Sequence, residues 1–432
     1  MTPAARLSAA IEVVADIEAR HRPAADALKD WGLSHRFAGS GDRAAIAGLV
    51  YDALRRRASS IHVMGDASPR AVLLGMLRLE RSLDPDAIAA VANGGRFAPQ
   101  PLSTAEQARL AAPDLKGAPP WVVGDYPEWL DPHLARVFGE ERGAEGAALA
   151  SRAPLDLRVN DIKCERDEAA ALLADLNPVP TRWSPFGLRI ALAADAKSPA
   201  IHAEPAVIKG MVEVQDEGSQ LAALLAGAKP GEHVVDLCAG AGGKTLALAA
   251  AMHNQGQLYA TDTDKRRLAP IHERLARAGV RNVQVRTPKS VGTELADLAG
   301  RADLVLIDAP CTGIGTWRRN PDAKWRVRPG ALAVRLEQQA AVLDRAAALV
   351  KPGGRIVYVT CSVLDSENGD QVRAFLARQT AFALVPPGEA ANALGERAYL
   401  FRHAALMSAE GLLMTPRRTD TDGFYVSVLV RT

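Results

Sequence analysis

Two cysteines, Cys311 in Asp308-Ala309-Pro310-Cys311-Thr312-Gly313 and Cys361 in Tyr358-Val359-Thr360-Cys361-Ser362, each close a predicted strand and each precede a polar turn. In an open α/β sheet the ligand crevice lies at the carboxyl ends of the strands, so a cysteine finishing a strand there turns its sulfur toward whatever is bound. A thiolate is a soft nucleophile that can add to an electron-poor ring carbon, such as that of a pyrimidine. An isolated cysteine is more often a small buried apolar residue. Two of them at matching strand ends, with Asp308 beside one, favour covalent chemistry instead.

Strands must carry these groups to one edge. Apolar runs alternate with helical periodicity at His233 to Cys238, Gln257 to Asp262, Asn282 to Thr287, Asp303 to Ala309 and Arg355 to Cys361. Such alternation predicts a mostly parallel sheet with right-handed crossovers. Gly411 to Met414, a turn at Thr419 to Gly423 and Phe424 to Val430 predict a closing antiparallel pair.

The first of these strands runs into Cys238-Ala239-Gly240-Ala241-Gly242-Gly243-Lys244-Thr245, a glycine-rich turn ahead of a helix. That geometry lets backbone N–H groups approach a ligand closely. The phosphate-binding pattern GxxxxGK[ST] requires glycine at 238, where the chain has cysteine, and the dinucleotide pattern GxGxxG lacks its last glycine. Asp262 ends the next strand, 22 residues beyond Gly240, where a carboxylate accepts both hydroxyls of a ribose or caps a helix from Lys265 to Leu275. An adenosine-containing cofactor without a pyrophosphate fits this set better than NAD or ATP.

Upstream, apolar residues from 4 to about 95 recur at helical spacing, as in Ile11, Val14 and Ile17 and in Ile46, Val50 and Leu54, and predict an all-helical region. Ser40 or Asp42 is the expected N-cap of the helix through Leu49 to Arg57, whose tail Arg55-Arg56-Arg57 either faces RNA or is a solvated helix end. Prolines at 99, 101, 113, 119, 120, 127 and 132 predict a connector between Phe97 and Pro132. Strand-like pieces at Leu155 to Asn160 and Gly187 to Leu192, flanking a helical segment around Glu168 to Leu176, predict a small α+β module.

A chain of 432 residues with 48% hydrophobic and 24% charged content is expected to fold as two or three domains with a full core. Its four cysteines, at 164, 238, 311 and 361, have no CxxC spacing and no clustered histidines, so neither a metal site nor a disulfide framework is expected. With no signal-peptide core and no spanning segment, the expectation is a soluble protein of a reducing cytoplasm, away from membranes. The net charge of +2 identifies no partner, but Arg318, Arg319, Lys324, Arg326 and Arg328 against Asp322 place a local +4 within eleven residues.

Asp236 to Thr245, Asp308 to Trp325 and Tyr358 to Ser362 resemble the motifs of the Nop/Sun family of S-adenosylmethionine-dependent RNA cytosine-5 methyltransferases, most closely its bacterial ribosomal RNA branch of the RsmB (Sun/Fmu) type. The resemblance extends over nearly the whole chain, through Leu157-Arg158-Val159-Asn160 and Val214-Gln215-Asp216-Glu217-Gly218-Ser219-Gln220, and more weakly through the helical start. Two departures stand out: Ala241 replaces the proline usual before the paired glycines, and Arg286-Thr287-Pro288-Lys289 offers no acid after the third strand.

The resemblance implies an α/β Rossmann-like class I methyltransferase domain at 208–432, with a mostly parallel sheet and a C-terminal antiparallel hairpin. Ahead of it would stand an all-helical NusB-like RNA-binding domain with its proline-rich connector at 1–140, and a small α+β module at 141–207. The implied reaction is methyl transfer from S-adenosylmethionine to carbon 5 of a cytosine in RNA, with 16S ribosomal RNA the expected substrate and a monomer the expected state.

Carbon 5 of cytosine is a poor nucleophile until a thiolate adds at carbon 6, and the carbon 5 proton must later leave before the thiol can. The residues alone do not say which cysteine attacks, since Pro310-Cys311 resembles the nucleophile of DNA cytosine methyltransferases. The RNA family implies Cys361 as nucleophile, Cys311 as the group assisting release, and Asp308 as the hydrogen-bonding partner of ring nitrogen 3. It further implies Cys238, Ala239, Gly240, Ala241, Gly242, Gly243, Lys244, Asp262, Arg267 and Asp308 as cofactor neighbours. Arg318, Arg319 and Lys324 are expected on phosphates, with Trp325 on a base or in the core. The base must leave its stack to reach a sulfur, so a single-stranded loop is expected. A P-loop-like ATPase and a non-catalytic RNA-binding scaffold are the competing functions.

Overall fold

The computed structural model describes residues 1–192, 199–288 and 293–432, and Lys289 therefore lies outside the described residues. The chain divides into two compact units, the first comprising Met1–Arg152 together with Trp317–Arg328. This first unit is helical. Helices Pro3–Arg20, Ala24–Ser34, Ser40–Arg55, Arg57–Met64 and Pro69–Leu79 bury a core of Leu7, Val14, Ile46, Val50, Leu73, Leu74 and Met76. Two of them begin at side-chain caps: Thr2 and Ser68 cap backbone amides ahead of prolines at the first helical position.

Three expectations for this unit are corrected. Ser40–Arg55 has Gly39 at its N-cap without a side-chain bond, because Asp42 is drawn to the Met1 amine at 3.1 Å and to Arg6 at 2.9 Å. The Arg55-Arg56-Arg57 tail is neither a solvated end nor free for RNA: Arg55 donates to the carbonyls of Ser151 and Arg318, Arg56 pairs with Glu80, and Arg57 pairs with Glu18. The proline-rich stretch is built structure, since Thr104–Ala111 opens with a capping box between Ser103 and Glu106, and Leu110, Val122, Tyr126 and Leu130 are buried.

The second unit holds two sheets. Strands β1 (Leu155–Val159), β2 (Val179–Pro180), β3 (Gly187–Ile190) and β4 (Val212–Val214) form a small antiparallel sheet in the order β2-β3-β1-β4. Helix Arg166–Leu172 packs there through Ala169, on a core with Leu157, Leu188 and Val212. The larger sheet follows with β5 (His233–Asp236), β6 (Gln257–Ala260), β7 (Val283–Val285), β8 (Ala302–Asp308), β9 (Val350–Thr360), β10 (Phe382–Leu384), β11 (Leu406–Met407), β12 (Leu412–Met414) and β13 (Phe424–Arg431).

Its order is β7-β6-β5-β8-β9-β13-β12-β11, parallel from β7 to β9 and antiparallel beyond, with β10 pairing β13. The closing pair therefore extends the sheet, because β13 lies directly along β9 and only then turns to β12. The chain leaves β5 toward β6 and β7, then returns to place β8 on the other side of β5. Such a reversal opens a crevice at the carboxyl ends of β5 and β8. Buried Val234, Leu258, Leu304, Leu306, Val357 and Val359 hold these strands in one apolar layer.

Candidate active site

The turn after β5 is shaped by two glycines at positive φ, Gly240 at 50° and Gly242 at 86°. A Cβ on Gly242 would stand 2.6 Å from Ile271 Cγ1, so both the backbone angle and the space demand glycine. Gly242 caps the helix Gly243–Ala251, and the Gly242 N–H donates to the Ala239 carbonyl at 2.8 Å. Ala241, standing where the family has proline, is exposed and its carbonyl accepts from Arg274 at 2.7 Å.

Asp262 is 2% exposed, and its carboxylate accepts from the Gly240 N–H and from the Asp264 N–H, each at 2.9 Å. Helix Lys265–Leu268 is capped by Asp264, not Asp262. A carboxylate offers about four lone-pair sites, so two remain for a ligand's hydroxyls. Arg267 approaches Asp262 to 3.6 Å from a largely exposed position.

Lys244 leaves the first turn of the helix Gly243–Ala251 and meets Asp308, at the end of β8, with Nζ 2.6 Å from Oδ2. Burial works against the lysine's charge, but the Asp308 carboxylate outweighs it and holds Lys244 above the ordinary lysine value. The Phe424 ring lies 5.1 Å from the same ammonium. Behind it, burial pushes the Asp236 carboxyl up to about 7, opposed by the hydrogen bond from Thr245. Burial, joined by the carboxylates of Asp236, Asp308 and Asp262, raises the Cys238 thiol well above its usual value. Cys238 is therefore a poor nucleophile despite its place in the loop.

The register of β8 on β9 pairs Asp308 with Val359, which brings both cysteine-bearing ends to the same edge. Cys311 Sγ and Cys361 Sγ stand 3.3 Å apart. The hydrogen bond with Cys361, then burial, then the charges of Cys361 and Glu367 hold the Cys311 thiol well above its ordinary value. Either sulfur can be the donor in this contact.

Sequence reasoning overlooked the groups that fix this arrangement. The Glu367 carboxylate, fully buried, accepts from the Thr312 N–H at 2.8 Å, from the Thr312 hydroxyl and from Gln339 Nε2 at 3.0 Å. Gln339, on the helix Pro329–Leu349, also donates to the Pro310 carbonyl at 2.9 Å. Asn368 braces the other cysteine by accepting from Thr360 Oγ1 and donating to the Ser362 carbonyl at 3.0 Å. The only local signal was the polar run Asp365-Ser366-Glu367-Asn368, soon after Cys361.

The basic stretch is corrected. Lys324 is 0% exposed and its Nζ donates to the Arg55 carbonyl at 2.8 Å; Trp325 Nε1 donates to the Leu54 carbonyl at 2.7 Å, and its ring packs on the helical core. Arg318 is buried and Arg319 half-buried. Lys324 and Arg318 consequently present no surface charge to a phosphate, and Trp325 follows its core alternative. Arg286, in the segment without an acid, pairs with Asp297 at 3.0 Å and lies over the Tyr259 ring.

Residues 222–430 match the family described as 16S rRNA methyltransferase RsmB/F. A protein of Synechocystis named probable ribosomal RNA small subunit methyltransferase B is 32% identical over 312 residues, covering 70% of this chain and 66% of that protein. The ribosomal RNA small subunit methyltransferase B of Vibrio vulnificus is 34% identical over 306 residues, covering 71% of this chain and 66% of that protein. The matched stretch thus spans about 66% of the length of these relatives. The crystal structure of the protein PH0851 shares the fold, with a TM-score of 0.71 at 24% identity over 100% of this chain and 99% of that chain. On this ground residues 222–430 of the chain belong to the 16S rRNA methyltransferase RsmB/F family.

Proposed function

We propose that the chain methylates carbon 5 of a cytosine in 16S ribosomal RNA through a covalent adduct with Cys361. The observation that carries this reading is the pair of sulfurs 3.3 Å apart at the ends of adjacent parallel strands, with Asp308 on the same edge. S-adenosylmethionine fits the crevice: Gly240 and Gly242 hold the tight turn at the end of β5, and Asp262 keeps acceptor sites for ribose hydroxyls. Gly240, Gly242, Asp262 and Lys244 would hold it, and when bound it supplies the methyl group.

In this reading the Cys361 thiolate adds to carbon 6, and the displaced electron pair enriches carbon 5, which takes the methyl group. Ring nitrogen 3 of cytosine carries a lone pair and no hydrogen, so the Asp308–Lys244 pair serves it as the donor, passing a proton to it as carbon 6 is attacked, a contribution worth about 10²–10⁴-fold. Bonding to carbon 6 consumes the charge on Cys361, and with it the largest influence that kept the proton on Cys311. Cys311 is then able to give up its proton to solvent and take the one on carbon 5. The C–H electron pair restores the ring double bond, and the S–C6 pair returns to Cys361. The helical unit is proposed as a NusB-like RNA-binding domain at 1–140, followed by the module at 141–207 and the transferase domain at 208–432.

The test is incubation of the full chain with S-adenosylmethionine and 16S RNA transcribed in vitro, followed by mapping of 5-methylcytosine. Methyl groups at a discrete cytosine support the reading, and methylation at another base or another ring atom refutes it.

A further inference from the structure

Cys311 is flanked on both sides by backbone that is tied to a single buried group. Ahead of it the Pro310 carbonyl is held by Gln339, and after it the Thr312 N–H and hydroxyl are held by Glu367, while Gln339 and Glu367 bond one another. Glu367 lies 55 residues from Thr312, and its own backbone is fixed where its carbonyl accepts from the Tyr358 hydroxyl at 2.6 Å. We propose that Glu367 is the positioning residue that decides which of the two cysteines attacks, by clamping the turn that carries Cys311 in place beside Cys361.

The charges around Cys311 agree with this. Cys361 and Glu367 face it with like charge, and the buried Tyr358 hydroxyl lies near Cys311 and Glu367. The Lys244 ammonium is electrostatically coupled to Cys361, with Asp308 as its ion-pair partner. A cation thus serves the attacking sulfur, and a carboxylate serves the waiting one. Thiolates react and thiols do not, so the two environments separate two otherwise similar side chains.

This inference rests on the division of labour proposed above, and its test needs neither RNA nor methyl donor. The full-length protein is alkylated with iodoacetamide across a range of pH, and each cysteine is followed by mass spectrometry. In the unmodified protein Cys361 reacts first. In Glu367→Gln the Cys311 rate near neutral pH rises, because the carboxylate that faces the thiol with like charge is gone, while Cys164 and Cys238 react as before. An unchanged Cys311 profile in folded Glu367→Gln overturns the assignment, and so does a uniform rise at all four cysteines, which marks general loosening. Should Glu367→Gln fail to fold, Glu367→Asp keeps a carboxylate drawn back from Thr312. Its Cys311 profile then moves part of the way in the same direction, and an unmoved profile overturns the assignment. A chain that alkylates as expected yet forms no adduct with RNA refutes the proposed reaction and leaves Glu367 in its role.

Discussion

Lys244 and Lys324 are both buried lysines in segments whose composition marks them as functional, and the fold treats them in opposite ways. Lys244 stands at the crevice with a carboxylate 2.6 Å away, which holds its charge in place. Lys324 stands inside the helical unit with the Arg55 carbonyl at 2.8 Å and the Trp325 ring at 5.1 Å, and burial lowers its pKa to about 7 despite the attraction of Asp125. The first is an electrostatic element of a site. The second belongs to a core, and its neighbours Arg318 and Trp325 are turned inward with it.

The largest effect expected from this contrast is on stability. Trp325→Ala removes a packed ring and its bond to the Leu54 carbonyl and should cost about 3 kcal/mol in the unfolding of the helical unit. Denaturant titration checks it, and a loss of RNA affinity at unchanged stability would return Trp325 to the RNA surface. Next, Asp262→Ala should weaken S-adenosylmethionine binding by about 1.5–3 kcal/mol, because the lost acceptor is charged. Calorimetry on the folded variant decides between that ribose role and a purely local one at Gly240.

Lys324 sharpens the comparison through pH. Its folded-state pKa lies below that of the unfolded chain, so unfolding takes up a proton between about 10 and about 7. Stability from this group is complete above that window and is lost as pH falls through it, by at most about 1.4 kcal/mol per pH unit. The difference in melting between the unmodified protein and Lys324→Met, followed over that range, should show this slope; a flat difference would mean that the lysine is solvated. The smallest effect is expected for Arg267→Ala, since an exposed ion pair is worth under about 1 kcal/mol. Cofactor affinity reduced about a hundredfold, roughly 2.7 kcal/mol, would make Arg267 a direct ligand instead.

What the sequence made legible follows the range of the forces involved. The glycines at 240 and 242, the strand ends at Asp308 and Thr360 and the order of the parallel elements are set by local backbone demands, which spacing records. Glu367 and Gln339 were not legible, because they meet Thr312 and Pro310 across 55 and 29 residues with no periodicity linking them. The run from Arg318 to Arg328 was misread for a related reason. Composition counts charges but does not orient them, and burial of Lys324 depends on helices some 270 residues earlier, such as the one ending at Arg55. Arg326 and Arg328 are the exposed members of that run, and Arg326 pairs with Asp322 at 3.1 Å.

The most direct test of the account is to trap the RNA adduct in the two cysteine variants. With S-adenosylmethionine and substrate RNA, Cys361→Ala should form no bond to RNA. Cys311→Ala should attack and methylate but fail to release, leaving a protein–RNA species that survives a denaturing gel. An adduct with Cys361→Ala and none with Cys311→Ala would exchange the two roles and contradict the assignment drawn from the 3.3 Å pair.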